Sequence, residues 1–546
     1  MSPRPLASSI PCLRDITLTD IHHHFASNAL TSTQLVRAYL CRIAEVDQEF
    51  NSVIQTNPDA LTIAQARDIE RALGFHGSIL QGVPILLKDN IPTLDATETT
   101  CGSLALVGTT STREATVVTA LRSAGAVILG KANMAEWAGF RSTSGCSGWS
   151  ARGGQTYGPF VKGSKASGSS SGSAVATALG LCFAAIGTET CYSIVSPAEK
   201  SGIVGYKPTR DLIPSEGIIH ASKRQDTVGV LTRTVKDAML ITYTLVLESL
   251  NCSSPRYLPG NPDSTVLMEN LLAACYSKKT DLTGVRIGIP LDLIDFGDIP
   301  ECKLEAFEDT LSLLETKSGA EIVRDVRVEG VCEYEGLSQE EKQVVLDTDM
   351  KIAIEAYLSD WKTDKQGISN LQDLIDFTKT CAEEEYPTRN VAGFERAQAT
   401  DPESALYTTM LKKDEKFAGC LERTLDRYGC DVLVIPILSV TLQAFAAKAG
   451  SPVLSVPMGY YPEGTPIETD PKNGLIAKAP GIPFSVFVFG KTYGDASVIK
   501  VGHAIEKLKR VREQLKPYML PGTEAVDVWK WGHLTCAELL DLPEFN

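Results

Sequence analysis

The chain has 546 residues, of which 43% are hydrophobic and 22% charged. Those fractions belong to a globular protein, and the length allows a large core without disulfides or metals. With 52 Lys+Arg against 67 Asp+Glu the formal net charge is −15, which argues against a nucleic-acid partner, because phosphate recognition needs a basic surface.

The 14 cysteines run from Cys12 to Cys536 without a Cys-x-x-Cys pair. A zinc ribbon or a redox motif is unsupported, and free thiols in a reducing, cytoplasmic setting are expected. Met1 to Thr19 lacks the apolar run of a secretory signal. No stretch of about 18 apolar residues predicts a membrane span. His22-His23-His24 has no carboxylate or cysteine beside it to complete a metal site, so no metal is expected there.

In chain order, Thr31-Ser32-Thr33-Gln34 fits a capping box, and Leu35, Tyr39, Ile43 and Val46 follow at helical spacing. A second helix is predicted from about Ala60 to Leu73. Val83 to Leu87 is a short apolar strand that delivers Lys88, Asp89 and Asn90 at its end. A helix from Glu114 to Ala124 stops at Gly125, and Ala126 to Leu129 reads as a buried strand. Arg141 to Ser173 is rich in Gly and Ser and has no periodicity, and loops of that length in compact domains are usually functional. A small-residue helix over about Ser173 to Leu181 follows, then a strand over Phe183 to Gly187. Further strands are predicted at Val285 to Ile289, Val432 to Ile435 and Pro483 to Phe489, and an amphipathic helix from Ala496 to Leu515. Between about 296 and 430 the sequence is charged and helical, with Glu383-Glu384-Glu385 as a solvated face. Strand and helix alternation of this kind points to an α/β sheet core.

Gly168-Ser169-Ser170-Ser171-Gly172 matches Gly-x-Ser-x-Gly, the nucleophile elbow, with Ser170 at its centre. That motif needs a preceding strand and a downstream acid and His. Lys162 to Ser167 is no strand, and His220, His503 and His533 sit in no obvious loop motif. A phosphate loop would need Gly-Lys-Ser/Thr, and Gly172-Ser173-Ala174 has no lysine. A serine without an acid-His pair needs another base. A lysine serves when burial lowers its pKa, and Lys88 at the end of an apolar strand is the candidate. Cys191 has nothing nearby to lower its pKa and reads as a small buried residue.

Three segments change the weight of these single residues. Gly82-Val83-Pro84-Ile85-Leu86-Leu87-Lys88-Asp89-Asn90, Gly168 to Ala174 and Gly187-Thr188-Glu189-Thr190-Cys191-Tyr192-Ser193-Ile194 together resemble the amidase signature family. Cys101-Gly102-Ser103, Gly130-Lys131-Ala132-Asn133, Gly205-Tyr206-Lys207-Pro208 and Gln225-Asp226-Thr227 agree, in the same order. The resemblance covers about residues 30 to 245 closely and continues more loosely to Gly490.

The resemblance implies a Ser-cisSer-Lys triad: Ser193 as nucleophile, Ser169 as bridging serine, Lys88 as terminal base. It implies a cis peptide bond before Ser169, and an oxyanion hole from the backbone N–H groups of Thr190, Cys191, Tyr192 and Ser193. Thr143 and Ser169 would line the substrate site. Two departures stand out. Cys191-Tyr192 replaces the usual glycine pair, and Val195 replaces the arginine that would pair with Glu189. The implied fold is α/β, a large mixed twisted sheet with helices on both sides. It would be one domain over 1–546, with a helical segment at about 1–75 and a variable helical region at about 296–430. The implied reaction is hydrolysis of a small-molecule carboxylic amide, without metal or cofactor, and a homodimer is left open. Three alternatives remain: an acyltransferase resolving acyl-Ser193 with an amine, a component of an amidotransferase, and a binding protein on an impaired amidase scaffold.

Overall fold

Short runs of apolar and β-branched residues supply the strands. The computed structural model describes residues 10–528, apart from 76, 145, 253–268, 271–272, 274–279, 295–296, 360 and 364–365. His533 lies outside the described residues. The strands of the main sheet are β1 (Val53–Thr56), β2 (Pro84–Lys88), β3 (Val127–Ala132), β4 (Ala184–Glu189), β5 (Val204–Lys207), β6 (Thr227–Thr232), β7 (Arg286–Pro290), β8 (Glu321–Val326), β9 (Val432–Ile435), β10 (Val453–Tyr460) and β11 (Pro483–Gly490). Their spatial order is β1-β3-β2-β4-β6-β5-β10-β11-β9-β7-β8. The sheet is mixed. β2 runs parallel to β3 and to β4, with Leu87 opposite both Lys131 and Ile186, and β4 runs antiparallel to β6. Every residue of β2, β3 and β4 is buried. Near-continuous apolar runs are what strands need when both faces are covered.

The N-terminal helices are α1 (Leu18–Ala26), α2 (Ser32–Phe50) and α3 (Ala60–Ala72). The Thr31–Gln34 capping box forms as expected: Thr31 Oγ1 accepts from Gln34 N at 3.1 Å, and Gln34 Oε1 from Thr31 N at 2.8 Å. Next come α4 (Thr116–Ser123), α5 (Ser171–Leu179), α6 (Val195–Lys200) and α7 (Val235–Cys252). α5 is buried on every side. Its sequence, Ser-Gly-Ser-Ala-Val-Ala-Thr-Ala-Leu, is small enough to let strands approach closely all round.

The 296–430 region holds α8 (Glu301–Ser318), α9 (Val331–Glu335), α10 (Gln339–Leu358), α11 (Leu371–Thr380), α12 (Ala392–Gln398), α13 (Ala405–Ala418) and α14 (Cys420–Tyr428). It also contributes β8, the edge strand parallel to β7, which the charged pattern concealed. Residues of α10, α11 and α12 close a second apolar cluster with Trp137, whose ring meets Phe394 edge-on at 5.9 Å. Toward the C-terminus follow α15 (Val440–Ala449) and α16 (Asp495–Lys509). α16 stops short of the expected Leu515, because Arg510 is left-handed (φ 46°) and a 3₁₀ turn follows.

One sequence expectation is corrected. Glu383 and Glu385 are exposed, but Glu384 is wholly buried. Its carboxylate pairs with buried Arg141 at 2.6 Å and accepts from Ser103 Oγ and Leu104 N, each at 2.9 Å. Arg141 also pairs with Glu136 at 2.8 Å. These partners are remote in sequence, so the local run of acids looked solvated.

Gly172 shows how tightly α5 meets the sheet. Its N–H donates to Asn133 O at 2.9 Å. A Cβ there would collide with the Ser52 carbonyl and lie 2.5 Å from Asn133 N. Overpacking against backbone cannot be relieved by a rotamer change. Gly172→Ala should therefore destabilise the fold by about 3 kcal/mol, read as a lower denaturant midpoint at unchanged slope.

Candidate active site

Because β2 and β4 are parallel neighbours, they finish at the same edge of the sheet. Lys88 is the last residue of β2, and Thr188 lies one residue from the end of β4. The Lys88 side chain is inaccessible to solvent. Its Nζ donates to Ser169 Oγ at 2.7 Å, to Thr188 Oγ1 at 2.9 Å and to Thr188 O at 3.0 Å. Asn90 Nδ2 fixes the Thr188 hydroxyl at 3.1 Å. Burial strips water from the ammonium and lowers the Lys88 pKa to about 7, against the opposing pull of Cys101, Asp226 and Glu189.

α5 and β4 form an antiparallel pair of segments, so the start of α5 returns to this same edge. Ser169 lies two residues before α5, and the Gly168–Ser169 peptide bond is cis. Ser169 O accepts from Ala135 N at 3.0 Å, and Ser170 N donates to Ser193 O at 3.0 Å. The first bond fastens the loop before α5 to the segment after β3, and the second fastens it to the turn after β4. Ser193 closes that turn, just ahead of α6. Ser169 and Ser193 both border a cleft of about 460 Å³. Ser170 does not: it is fully buried and its Oγ donates to Thr188 O at 3.2 Å. No strand precedes it, so the nucleophile-elbow geometry is absent.

The turn from Thr190 to Ser193 is built in an unusual way. Tyr192 is left-handed (φ 60°) where glycine would be free, a strain of about 1–2 kcal/mol. Two carboxylates hold the turn. Asp226 accepts from Thr190 Oγ1 at 2.5 Å and from Ala221 N at 2.7 Å. Glu189 Oε2 accepts from Ile194 N at 2.7 Å and Val195 N at 3.1 Å. The residue at the arginine position thus answers Glu189 with its backbone rather than its side chain, and Glu189 Oε1 has no partner among the described residues. Burial raises the Glu189 pKa, while Lys207 and these N–H groups oppose the rise. Among the described residues no acceptor engages the N–H of Cys191 or of Ser193. The Cys191 thiol is pushed up to about 12, chiefly by burial and then by Glu189, which leaves it protonated and unfit as a nucleophile.

Thr143 is exposed on the rim of the same cleft. Its N–H donates to Asn390 Oδ1 at 3.2 Å, and its Oγ1 accepts from Asn390 Nδ2 at 3.2 Å. The structure thus brings Ser169, Ser193, residues 190–192 and Thr143 around one cleft, with Lys88 buried behind Ser169.

Similarity to known proteins agrees with this geometry. The Amidase family profile matches residues 34–499. The chain belongs to the amidase signature family. It is 36% identical over 549 residues to a protein of Arthroderma benhamiae that carries an amidase name, covering 95% of this chain and 90% of that one. It is 30% identical over 500 residues to a glutamyl-tRNA(Gln) amidotransferase component from Renibacterium salmoninarum, covering 88% and 91%. Among solved structures, the native peptide amidase of Stenotrophomonas maltophilia superposes with a TM-score of 0.77 at 31% identity, covering 94% of this chain and all of that one. The protein is an amide hydrolase of a family characterised by serine-based chemistry. Among the described residues no helix is long and apolar enough to cross a membrane.

Sequence reasoning assigned no role to Thr188, Asn90 or Asp226, although all three stand inside the quoted motifs. The parallel pairing of β2 with β4 was the signal that would have put Thr188 beside Lys88. Tyr334, Lys342 and Lys448, which also line the cleft, have no local signal at all. Glu189→Gln should weaken the N–H bonds that fix the turn while leaving the cleft walls in place. The expected result is a fall of about tenfold in kcat with KM nearly unchanged, measured on any turned-over amide.

Proposed function

We propose that the enzyme hydrolyses a small linear amide through an acyl-enzyme on Ser193, with Ser169 as the proton bridge and Lys88 as the base. The observation that carries this reading is the 2.7 Å contact between Lys88 Nζ and Ser169 Oγ at the edge of the cleft that Ser193 borders. Neutral Lys88 takes the Ser169 proton as Ser169 takes the Ser193 proton. Ser193 Oγ then adds to the amide carbonyl. The N–H groups of the 190–193 turn receive the developing oxyanion, and such a donor is typically worth about 10²–10³ in rate. The relay runs backward to protonate the leaving amine, the C–N bond breaks, and water resolves the ester by the same route. The rim residues Thr143 and Tyr192 are exposed, so water has access to the acyl group, which favours hydrolysis over transfer to an amine. The same reading takes the chain as one amidase domain.

A fluorophosphonate probe tests the nucleophile. Wild type should gain one adduct at Ser193, and Ser193→Ala should gain none while remaining folded. Amide hydrolysis should fall by roughly 10⁴-fold or more in Ser193→Ala and in Lys88→Met. An adduct that persists in Ser193→Ala would refute the assignment.

The pH profile tests the base. Lys88 works only as the neutral amine, and its pKa is held near 7. Activity should therefore be lost as pH falls below about 7 and gained as pH rises through it. The acid limb of kcat/KM should show a half-point near pH 7, and an amidase with no limb there would exclude Lys88 as the titrating base.

A further inference from the structure

The charge lining the cleft runs against the charge of the chain. The whole sequence carries −15, yet the cleft is lined by four lysines, Lys165, Lys342, Lys448 and Lys472, and by a single carboxylate, Asp470. Two of the lysines are neutralised. Lys165 forms an ion pair with Asp470, and Lys448 pairs with Asp414 at 2.9 Å. The other two are not. Lys342, at the start of α10, donates to the Glu335 carbonyl at 3.0 Å and lies 5.5 Å from the centre of the Tyr334 ring. Lys472 is exposed; its backbone N–H donates to Asp470 Oδ1 at 2.9 Å and its charge helps hold Asp470 ionised, but among the described residues its ammonium forms no ion pair. Among the described residues neither ammonium has an acidic side-chain partner. Of the acids near Lys342 in the chain, Glu341 pairs with Lys413 at 3.4 Å and the Glu335 carboxylate accepts from Thr441 Oγ1 at 3.1 Å. The rest of the lining is mixed, with Phe140, Leu346 and Leu438 as apolar members beside Ser147, Gln225 and Gln343. A concave, partly apolar site with uncompensated positive charge concentrates anions and holds them where water is excluded from one side.

We propose, building on the amidase reading above, that the preferred substrates are amides that carry a carboxylate remote from the scissile bond, received by Lys342 and Lys472. Apolar members of the lining, such as Leu346 and Leu438, would contact the chain between the two groups. Neutral amides of the same length fill the wall but leave both cations unanswered.

The test uses the full-length enzyme and matched pairs of compounds of increasing chain length. One series has primary amides whose acyl chain ends in a carboxylate, each beside the neutral amide that ends in methyl. A second series places the carboxylate on the leaving amine. In one series the anionic member should show about tenfold higher kcat/KM at low salt, and the preference should shrink at high ionic strength. Lys342→Gln and Lys472→Gln should each lower the anionic-to-neutral ratio by about threefold, and the double variant should bring it near one. Calorimetric binding of the same pairs to Ser193→Ala reads the charge preference without turnover. Hydrolysis of both members at equal rates in both series would overturn the charge proposal and leave the amidase reading intact. Selective binding of the anionic member with no hydrolysis of either would sink the amidase reading and keep the charge proposal. Equal binding of both members overturns the charge proposal whatever the turnover.

Discussion

A primary amine lies at the end of β2 where no water reaches it, and the active edge is arranged around that fact. An ammonium in that position is costly, so burial lowers its pKa toward neutrality. Burial alone does not make a base. Lys131 and Lys207 are equally inaccessible, and burial lowers both to about 8. Their amines serve other ends: Lys131 donates to Thr99 Oγ1 at 2.7 Å and to the Ile91 carbonyl, and Lys207 to the Ser451 carbonyl. What separates Lys88 is a hydroxyl, Ser169, that itself borders the cleft. Two further acceptors on Thr188 fix the amine so that it cannot swing away from that serine. Position, more than basicity, distinguishes the three.

That position is a property of the sheet. Parallel pairing of β2 with β4 puts Lys88 beside Thr188, and the tight return from α5 into β4 puts Ser169 above both. Gly172 lets α5 approach closely enough to do this. Side chains at the carboxyl ends of adjacent parallel strands converge without any long loop having to organise them. The 190–193 turn is the exception. It projects beyond the strand end, it carries the left-handed Tyr192, and it is held by Asp226 and Glu189 from below. The substitution of Val195 for an arginine costs the turn a side-chain ion pair but not its brace, because the backbone N–H groups of Ile194 and Val195 bind the same carboxylate. Glu189 Oε1 is left without a partner among the described residues.

Much of this was legible in the sequence, for a physical reason. The catalytic candidates sit in three short segments whose local pattern is itself the signal: an apolar run ending in Lys88, a Gly/Ser run containing Ser169, and a strand end followed by Ser193. Short, fully buried strands such as β9 are also self-announcing, and its bounds are those expected from Val432 to Ile435. The failures have separate causes. Glu384 looked solvated because Arg141, its partner, lies far away in the chain. β8 was hidden because an edge strand with one covered face tolerates Glu, Arg and Asp. The early end of α16 depends on one left-handed residue, Arg510, which has no sequence signature of its own.

The cleft wall follows the same division between local and distant information. The candidate nucleophile, bridge and base come from residues 88 to 193, but Tyr334, Lys342, Lys448 and Lys472, which line the same cleft, come from α9, α10, α15 and the 470–473 turn. No motif links those segments to one another. Chemistry and recognition are therefore encoded separately in this chain. A motif fixes what bond is attacked, and the charge balance of an unrelated wall decides which molecule presents it. The family resemblance is strong over the first half and loose over the second, so it speaks to the reaction and is silent on the substrate. The cleft adds what it leaves out: two ammonium groups with no ion pair among the described residues, on the wall of a protein whose sequence carries a net charge of −15.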